Sequence, residues 1–319
     1  MISVIIPVYN GEKTLGALLD SLKRQQDVHC EIIVVDDEST DSSREVAISK
    51  GAKLLSTGGR RGPACARNIG ARSAQGDVLL FLDADTLAPP HLLKHVNQRF
   101  EEDPSLTAIV GYYDKKPLND GFFPRYKALL VNYWFKNASV MESFETCCGA
   151  IRKDIFDKVG GFDESYSNAD VEDYEFGYRA LEMGKILVDH RMIVRHHFPT
   201  FTRNSMNYCR RSRLWMKLFL KRREFESTAT TPTEGVSRLL AVVFSLSLLL
   251  SPFLPLLLPF ALVSFVLYLS LVGKFLLFLT REEGFSFALL GLLTHIASSY
   301  AVACGVLWAI LESMMGKKS

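Results

Sequence analysis

Across residues 239–280 the sequence carries a single charge, Lys274. As one helix this stretch would run about 63 Å, roughly twice the ~30 Å hydrocarbon core of a bilayer. One crossing does not use it up, and Pro252, Pro255 and Pro259 mark a break or turn within it. Residues 285–311 supply one more apolar candidate span. Just before this tail, residues 203–223 hold eight Arg or Lys and no acid, with Leu214, Trp215, Leu218 and Phe219 interleaved. As a helix, that segment suits an anionic membrane surface, its long cationic side chains snorkelling; a solvated basic face is the plainer alternative. Basic residues flanking a span stay on the cytosolic side, which places everything before the tail in the cytosol. Lys317 and Lys318 favour an even number of crossings, whereas the segments suggest three.

The front is of another kind. "ISVIIPV", "EIIVV", "AKLLS" and "DVLLFLDAD" are short apolar runs that read as buried strands. Leu15, Leu18, Leu19 and Leu22 recur at helical spacing after the first, and a helix capped by Thr40 or Asp41 follows the second. "GPACARNIGARSAQG" is a third helix, with Pro63 at its first position and Gly76 past its end, and a fourth covers about residues 89–101. Strand and helix alternating in this way predict a doubly wound, mostly parallel α/β sheet, which binds ligands beyond the carboxyl ends of its strands. Pro7 and Tyr9, Asp36 and Asp37, and Asp83 and Asp85 all fall at such ends, so three strands deliver polar residues to one rim. Further on, "TCCGAIRKDIFDKVGGFDE" reads as strand, short helix and Gly-Gly turn. "VEDYEFGYRALEMG" reads as an amphipathic helix opening with Glu172 and Asp173, and "KILVDHRMIVRHHF" as an extended run ending in His196 and His197.

Each polar cluster has a functional and a plainer reading. Asp83 and Asp85, two apart on an extended chain, share a face and repel unless a cation sits between them. They suit Mg2+ or Mn2+ shared with a diphosphate, or else one of them caps the next helix. Asp36 and Asp37 accept hydrogen bonds from a nucleotide, or simply cap the turn "DDESTD". Glu172 and Asp173 gain from the helix dipole, roughly 0.3–1 kcal/mol each, or one of them is a general base. His196 and His197 end a strand or ligate metal. No Gly-rich dinucleotide fingerprint or P-loop follows the first strand, which disfavours nicotinamide chemistry and ATP hydrolysis. The six cysteines show no zinc spacing and read as reduced thiols. With 37 basic and 35 acidic residues, overall charge names no partner, and nothing points to nucleic acid. The first strand begins at residue 3, leaving no room for a signal peptide ahead of it.

"SVIIPVYNGEKTL", "EIIVVDDESTD", "GPACARNIGA", "GDVLLFLDADT", "CCGAIRKDIFDKVGGFDE" and "VEDYEFGYRA" stand in an order that resembles the family 2 glycosyltransferases over about residues 2–200. The resemblance implies an inverting, metal-dependent enzyme of the GT-A fold, Rossmann-like, here followed by transmembrane helices. It implies a nucleotide pocket of Pro7, Tyr9, Glu12, Asp36, Asp37, Arg67 and Asp83, with Arg67 reaching the base or phosphates. Asp83 and Asp85 match the DxD motif that holds Mn2+ or Mg2+, with His196 beside the metal. Asp173 matches the catalytic base, Glu172 a supporting acid, and Gly149 and Ala150 the acceptor and sugar site. The chain then divides into a GT-A domain over 1–202, a basic linker over 203–235 and a membrane region over 236–319 with two to four hydrophobic segments. The expected donor is a nucleotide sugar, UDP-linked by preference, and the acceptor a hydroxyl of a lipid-linked or surface glycan. A polyprenyl-phosphate glycosyltransferase, a sugar nucleotidyltransferase and a silent nucleotide-sugar or lipid-binding scaffold are the alternatives.

Overall fold

The computed structural model describes residues 1–25 and 28–315; Lys317 and Lys318, whose charge bears on the number of crossings, lie outside the described residues. The chain divides into two compact units, Met1–Phe198 and the residues from Pro199 onward.

The first unit opens with β1 (Ile2–Val8), α1 (Glu12–Lys23), β2 (Cys30–Asp36), α2 (Ser43–Ser49), β3 (Lys53–Ser56), α3 (Pro63–Ser73) and β4 (Val78–Leu82). It continues with β5 (Thr86–Leu87), α4 (Leu92–Glu102), β6 (Ala108–Tyr113), α5 (Phe122–Phe135) and β7 (Val140–Met141). β8 (Cys148–Arg152), α6 (Lys153–Val159), α7 (Glu172–Ala180) and β9 (Ile186–His196) complete it. The sheet order is β3-β2-β1-β4-β8-β6-β9-β5, with β7 pairing β9. β1 pairs in parallel with β2 and β4, β2 with β3, and β6 with β9, while β8 runs antiparallel between β4 and β6. The long strands other than β8 thus end at one rim, as the alternation predicted. β8 begins there instead, since Cys148 pairs with Leu82, the last residue of β4.

Local chemistry moved some boundaries. The cap before α2 is Ser42, while the Asp41 carboxylate accepts hydrogen bonds from the Ser43 N–H (3.1 Å) and hydroxyl (2.5 Å). The fourth helix starts at Leu92, past Pro89 and Pro90, and α7 stops at Ala180, before Gly184. β6 and α5 fill a stretch for which the sequence suggested no element. β4 is buried throughout, and Phe81, its fourth residue, joins an aromatic cluster with Phe144, Phe156, Phe162 and Phe176, ring centroids 4.4–5.9 Å apart along its closest contacts. This cluster ties α6 and α7 to the sheet. Truncating one such ring to alanine costs about 3–5 kcal/mol.

The second unit is helical: α8 (Phe201–Arg222), α9 (Pro232–Leu250), α10 (Leu257–Glu283) and α11 (Phe285–Met314). The last three are long and apolar enough to cross a membrane. Their break falls at Pro252 and Pro255, while Pro259 sits in the first turn of α10, where its missing N–H is harmless. The outward apolar side chains, Phe253 at 81 % exposure and Leu256 at 84 % among them, suit lipid rather than water. Polar groups turn inward. Arg238 pairs with Glu234 (2.7 Å), and Tyr268 Oη and His295 Nδ1 stand 2.9 Å apart. On α8, Arg213 and Lys217 pair with Glu312 of α11 at 2.6 and 3.1 Å, so part of the basic stripe has an intramolecular partner.

Candidate active site

The two aspartates after β4 converge by a turn, not by the alternation of an extended strand. Asp83, Ala84 and Asp85 leave the strand, and the Asp83 carbonyl accepts from the Thr86 N–H (3.1 Å) and hydroxyl (2.7 Å). β5 then pairs with the end of β9, Thr86 opposite His196. That pairing sets His196 Nε2 3.3 Å from Asp85 Oδ1. The imidazole lies between Tyr113 and Phe198, ring centroids 4.4 and 4.5 Å away, and its buried Nδ1 has no hydrogen-bond partner among the described residues. His197 is exposed.

Arg67 occupies a different place from the one expected. It rises from α3, is 3 % exposed, and bridges Glu172 (2.9 Å) and Asp83 (3.0 Å) from beneath. It is thus committed to two site carboxylates and does not reach outward to a base. Burial raises the Asp83 carboxyl; Arg67 opposes this, the Asp85 charge adds to it, and the outcome lies above the ordinary range. At Asp85, burial also pushes upward, but His196, a backbone hydrogen bond and His197 together hold the carboxyl below the ordinary range. A proton or a cation is therefore favoured at this pair of acids.

Two more strand ends complete the rim. Pro7 lies in β1, and Tyr9, just beyond it, is 41 % exposed with the Arg60 guanidinium over its ring at 3.3 Å. Glu12 accepts from the Ser42 N–H (3.1 Å). Asp36 is buried and accepts from Arg44 Nε (2.5 Å). Asp37 organises the loop after β3, accepting from the Thr57 hydroxyl (2.9 Å) and the N–H groups of Arg61 (2.7 Å) and Gly62 (2.9 Å).

Glu172 and Asp173 open α7. Glu172 turns inward to Arg67 and also accepts from the Asp170 N–H (2.8 Å). Asp173 is half-buried, and its carbonyl accepts from the Phe144 N–H (3.1 Å). Gly149 and Ala150 are buried within β8, opposite Phe81 and Leu80, so what they offer a ligand is support rather than a side chain. Residues not singled out from sequence also belong here. Asn68, next to Arg67, exchanges hydrogen bonds with both backbone groups of Phe162 and so fixes the chain ahead of α7. Tyr113 and Phe198 hold the His196 ring, and Arg60 covers Tyr9. The signal for Tyr113 was weak: "AIVGYYD" is a further apolar run ending in polar residues, but Gly111 and the two tyrosines dilute it.

Asp83, Asp85 and His196 offer oxygen and nitrogen donors that fit a hard divalent cation. Among the described residues no three His, Cys, Asp or Glu side chains are grouped so as to hold a metal ion by themselves. An open donor set is the kind that suits an ion shared with phosphate oxygens.

Residues 3–160 match the family model described as glycosyl transferase family 2. An uncharacterized glycosyltransferase of Haemophilus influenzae is 30 % identical over 194 residues, 57 % of this chain and 62 % of that protein. A second Haemophilus relative is matched over 41 % of its length, so the chain spans less than two thirds of either. Among solved structures, the mannosyltransferase PcManGT from Pyrobaculum calidifontis, in complex with GDP-Man and Mn2+, superposes with a TM-score of 0.58 at 20 % identity, covering 96 % of this chain and 87 % of that one. S. aureus TarS 1-349 in complex with UDP gives 0.51 at 24 % identity, over 69 % and 65 %. These likenesses establish the fold as GT-A. With the family match over β1 to α6 and the rim built as described, residues 3–160 are a glycosyltransferase family 2 domain.

Proposed function

We propose that this is a membrane-anchored inverting glycosyltransferase, moving a sugar from a nucleoside diphosphate donor to a hydroxyl of a lipid-linked or surface-glycan acceptor. The observation that carries the reading is the meeting of Asp83, Asp85, His196, Arg67 and Glu172 at one rim, with Asp173 next in the chain. Asp83, Asp85 and His196 would hold Mn2+ or Mg2+, which when bound neutralises the leaving diphosphate. Asp173 takes the proton from the acceptor hydroxyl as that oxygen attacks the anomeric carbon from the face opposite the nucleotide. Inversion follows, an α-linked donor giving a β-linked product. Arg67 keeps Glu172 and Asp83 in register while charge shifts at the rim.

UDP is the preferred nucleotide, with GDP the alternative; TarS and PcManGT were captured with UDP and GDP-Man respectively. Three candidate spans and the basic α8 support a membrane anchor with the first unit on the cytosolic side. The test is nucleotide release by purified, detergent-solubilised protein against UDP- and GDP-sugars, with and without Mn2+, beside Asp85→Asn. Metal-dependent release of one nucleotide, lost in the variant, is expected. Absence of nucleotide binding in the wild type overturns the reading.

A further inference from the structure

Arg60 covers the exposed ring at the end of β1. Its guanidinium lies 3.3 Å from the centroid of the Tyr9 ring, the exposed aromatic face at the end of β1. Its nearest acid is Asp37, 3.8 Å from Nε and beyond hydrogen-bond reach. Both Asp37 oxygens are taken by Arg61, Gly62 and Thr57. The other arginines of this region are committed: Arg61 to Glu164 at 2.7 Å and Arg67 to Asp83 and Glu172. The loop that carries Arg60 is pinned at both ends through Asp37, and within it the Gly58 N–H donates to the Ser56 hydroxyl (3.1 Å) and the Gly59 carbonyl accepts from the Thr57 hydroxyl (2.5 Å). Gly58 and Gly59 have φ of 70° and 153°, and nothing lies within 4 Å of where their Cβ atoms would be. A half-exposed cation is thus held mainly by one aromatic ring, with open space beside the two glycines that precede it and a rim crowded with carboxylates next to it.

We propose that Arg60 gates the donor: it caps Tyr9 in the empty site, yields the ring to the nucleobase, and then pairs with the diphosphate. This rests on the donor-site reading given above. Bases stack on aromatic faces without much regard to identity, so base and guanidinium compete for one surface. A diphosphate entering among Asp37, Asp83 and Asp85 needs a cation that is free to meet it, and Arg is suited to bidentate contact with phosphate oxygens. The exchange trades one weak contact for a charge-assisted one, which favours a nucleoside diphosphate over the bare nucleoside.

The test compares two ligands on the solubilised full chain in Mn2+: a nucleoside (uridine, guanosine) and its diphosphate (UDP, GDP), by calorimetry, for wild type, Arg60→Ala and Arg60→Lys. A gate predicts opposite signs in Arg60→Ala. Nucleoside binding tightens by about 3-fold as the competitor leaves the ring, while diphosphate binding weakens by about 10-fold or more. Arg60→Lys keeps the charge and loses the flat stack, so its diphosphate affinity falls between the two. Thermal melts of both variants matching wild type exclude a folding origin. If Arg60→Ala weakens both ligands by the same factor, or changes neither, the gate is overturned while the donor site stands. If wild type binds neither ligand, the donor site itself fails and takes the gate with it.

Discussion

Arg67→Met tests the ion triad most directly. The arginine is 4 % exposed in its side chain, as is Glu172, while Asp83 is 26 % exposed. The Glu172 arm therefore has almost no water to fall back on, and the Asp83 arm has some. Removing one partner of a buried ion pair costs about 3–5 kcal/mol, because the orphaned charge remains in place. Most of this falls on Glu172, which retains only the Asp170 N–H from its hydrogen bonds described above. For a unit of this size the loss corresponds to a drop in Tm of about 6–20 °C. The pH dependence is the sharper signature. Burial, with Asp85 beside it, already holds Asp83 above the ordinary carboxylate range against the pull of Arg67. A carboxylate raised in the folded state favours folding while protonated, and that contribution is lost as pH rises through its folded pKa. Without Arg67 the group moves higher still. The deficit of the variant is then largest near pH 8 and shrinks towards pH 5. Thermal melts of detergent-solubilised wild type and variant across that range, with chelator present, measure it. A deficit under about 1 kcal/mol, or one unchanged with pH, refutes the reasoning. Arg67→Met with Glu172→Gln should recover part of the loss, since no full charge is then left on the buried arm.

Two other outcomes are expected. Asp173→Asn keeps an oxygen for the Tyr174 N–H now bound at 3.0 Å, so donor binding should stay unchanged while transfer falls by about 10²–10⁴-fold; equal turnover in single-turnover assays would remove Asp173 as base. Gly111→Ala sets a Cβ 1.6 Å from the Met192 carbonyl oxygen, at the point where the β6–β9 register shifts, and should cost about 3 kcal/mol or more by forcing the strands apart. A melt within 1 kcal/mol of wild type would show that the bulge yields easily.

The parts of the site legible in the sequence were those written by strand ends and helix starts. Asp83 and Asp85 follow an unbroken apolar run, and Glu172 and Asp173 open a helix, so their placement needed only local rules. What stayed hidden depends on partners far along the chain. Arg67 and Glu172 are 105 residues apart, and their pairing requires α3 and α7 to meet beneath the rim. The pattern "ARN" shows an arginine but not that two carboxylates hold it inward. Gly149 and Ala150 were expected in the stretch that shapes the acceptor and sugar site, and nothing local signals that β8 is inserted between β4 and β6 with both residues buried. Gly111 and the two tyrosines dilute the apolar run of β6, which hid that strand and with it Tyr113.

The antiparallel strand has a consequence for how such an enzyme diversifies. β6 finishes at the rim with Tyr113, and its sheet neighbour β8 starts there at Cys148. Between them, residues 114–147 leave and re-enter the sheet at adjacent points on the same edge, adding on the way β7, which pairs with β9. An excursion whose ends are already side by side can be lengthened at small entropic cost, about 0.6 kcal/mol per doubling. It can be rebuilt without touching the register of the strands that carry Tyr9, Asp37 and Asp83. The scaffold thus behaves as a socket: the strands that carry the rim are wired into the sheet, and the excursion between β6 and β8 is a cartridge that plugs in beside them, fixed on its way by the β7–β9 pairing.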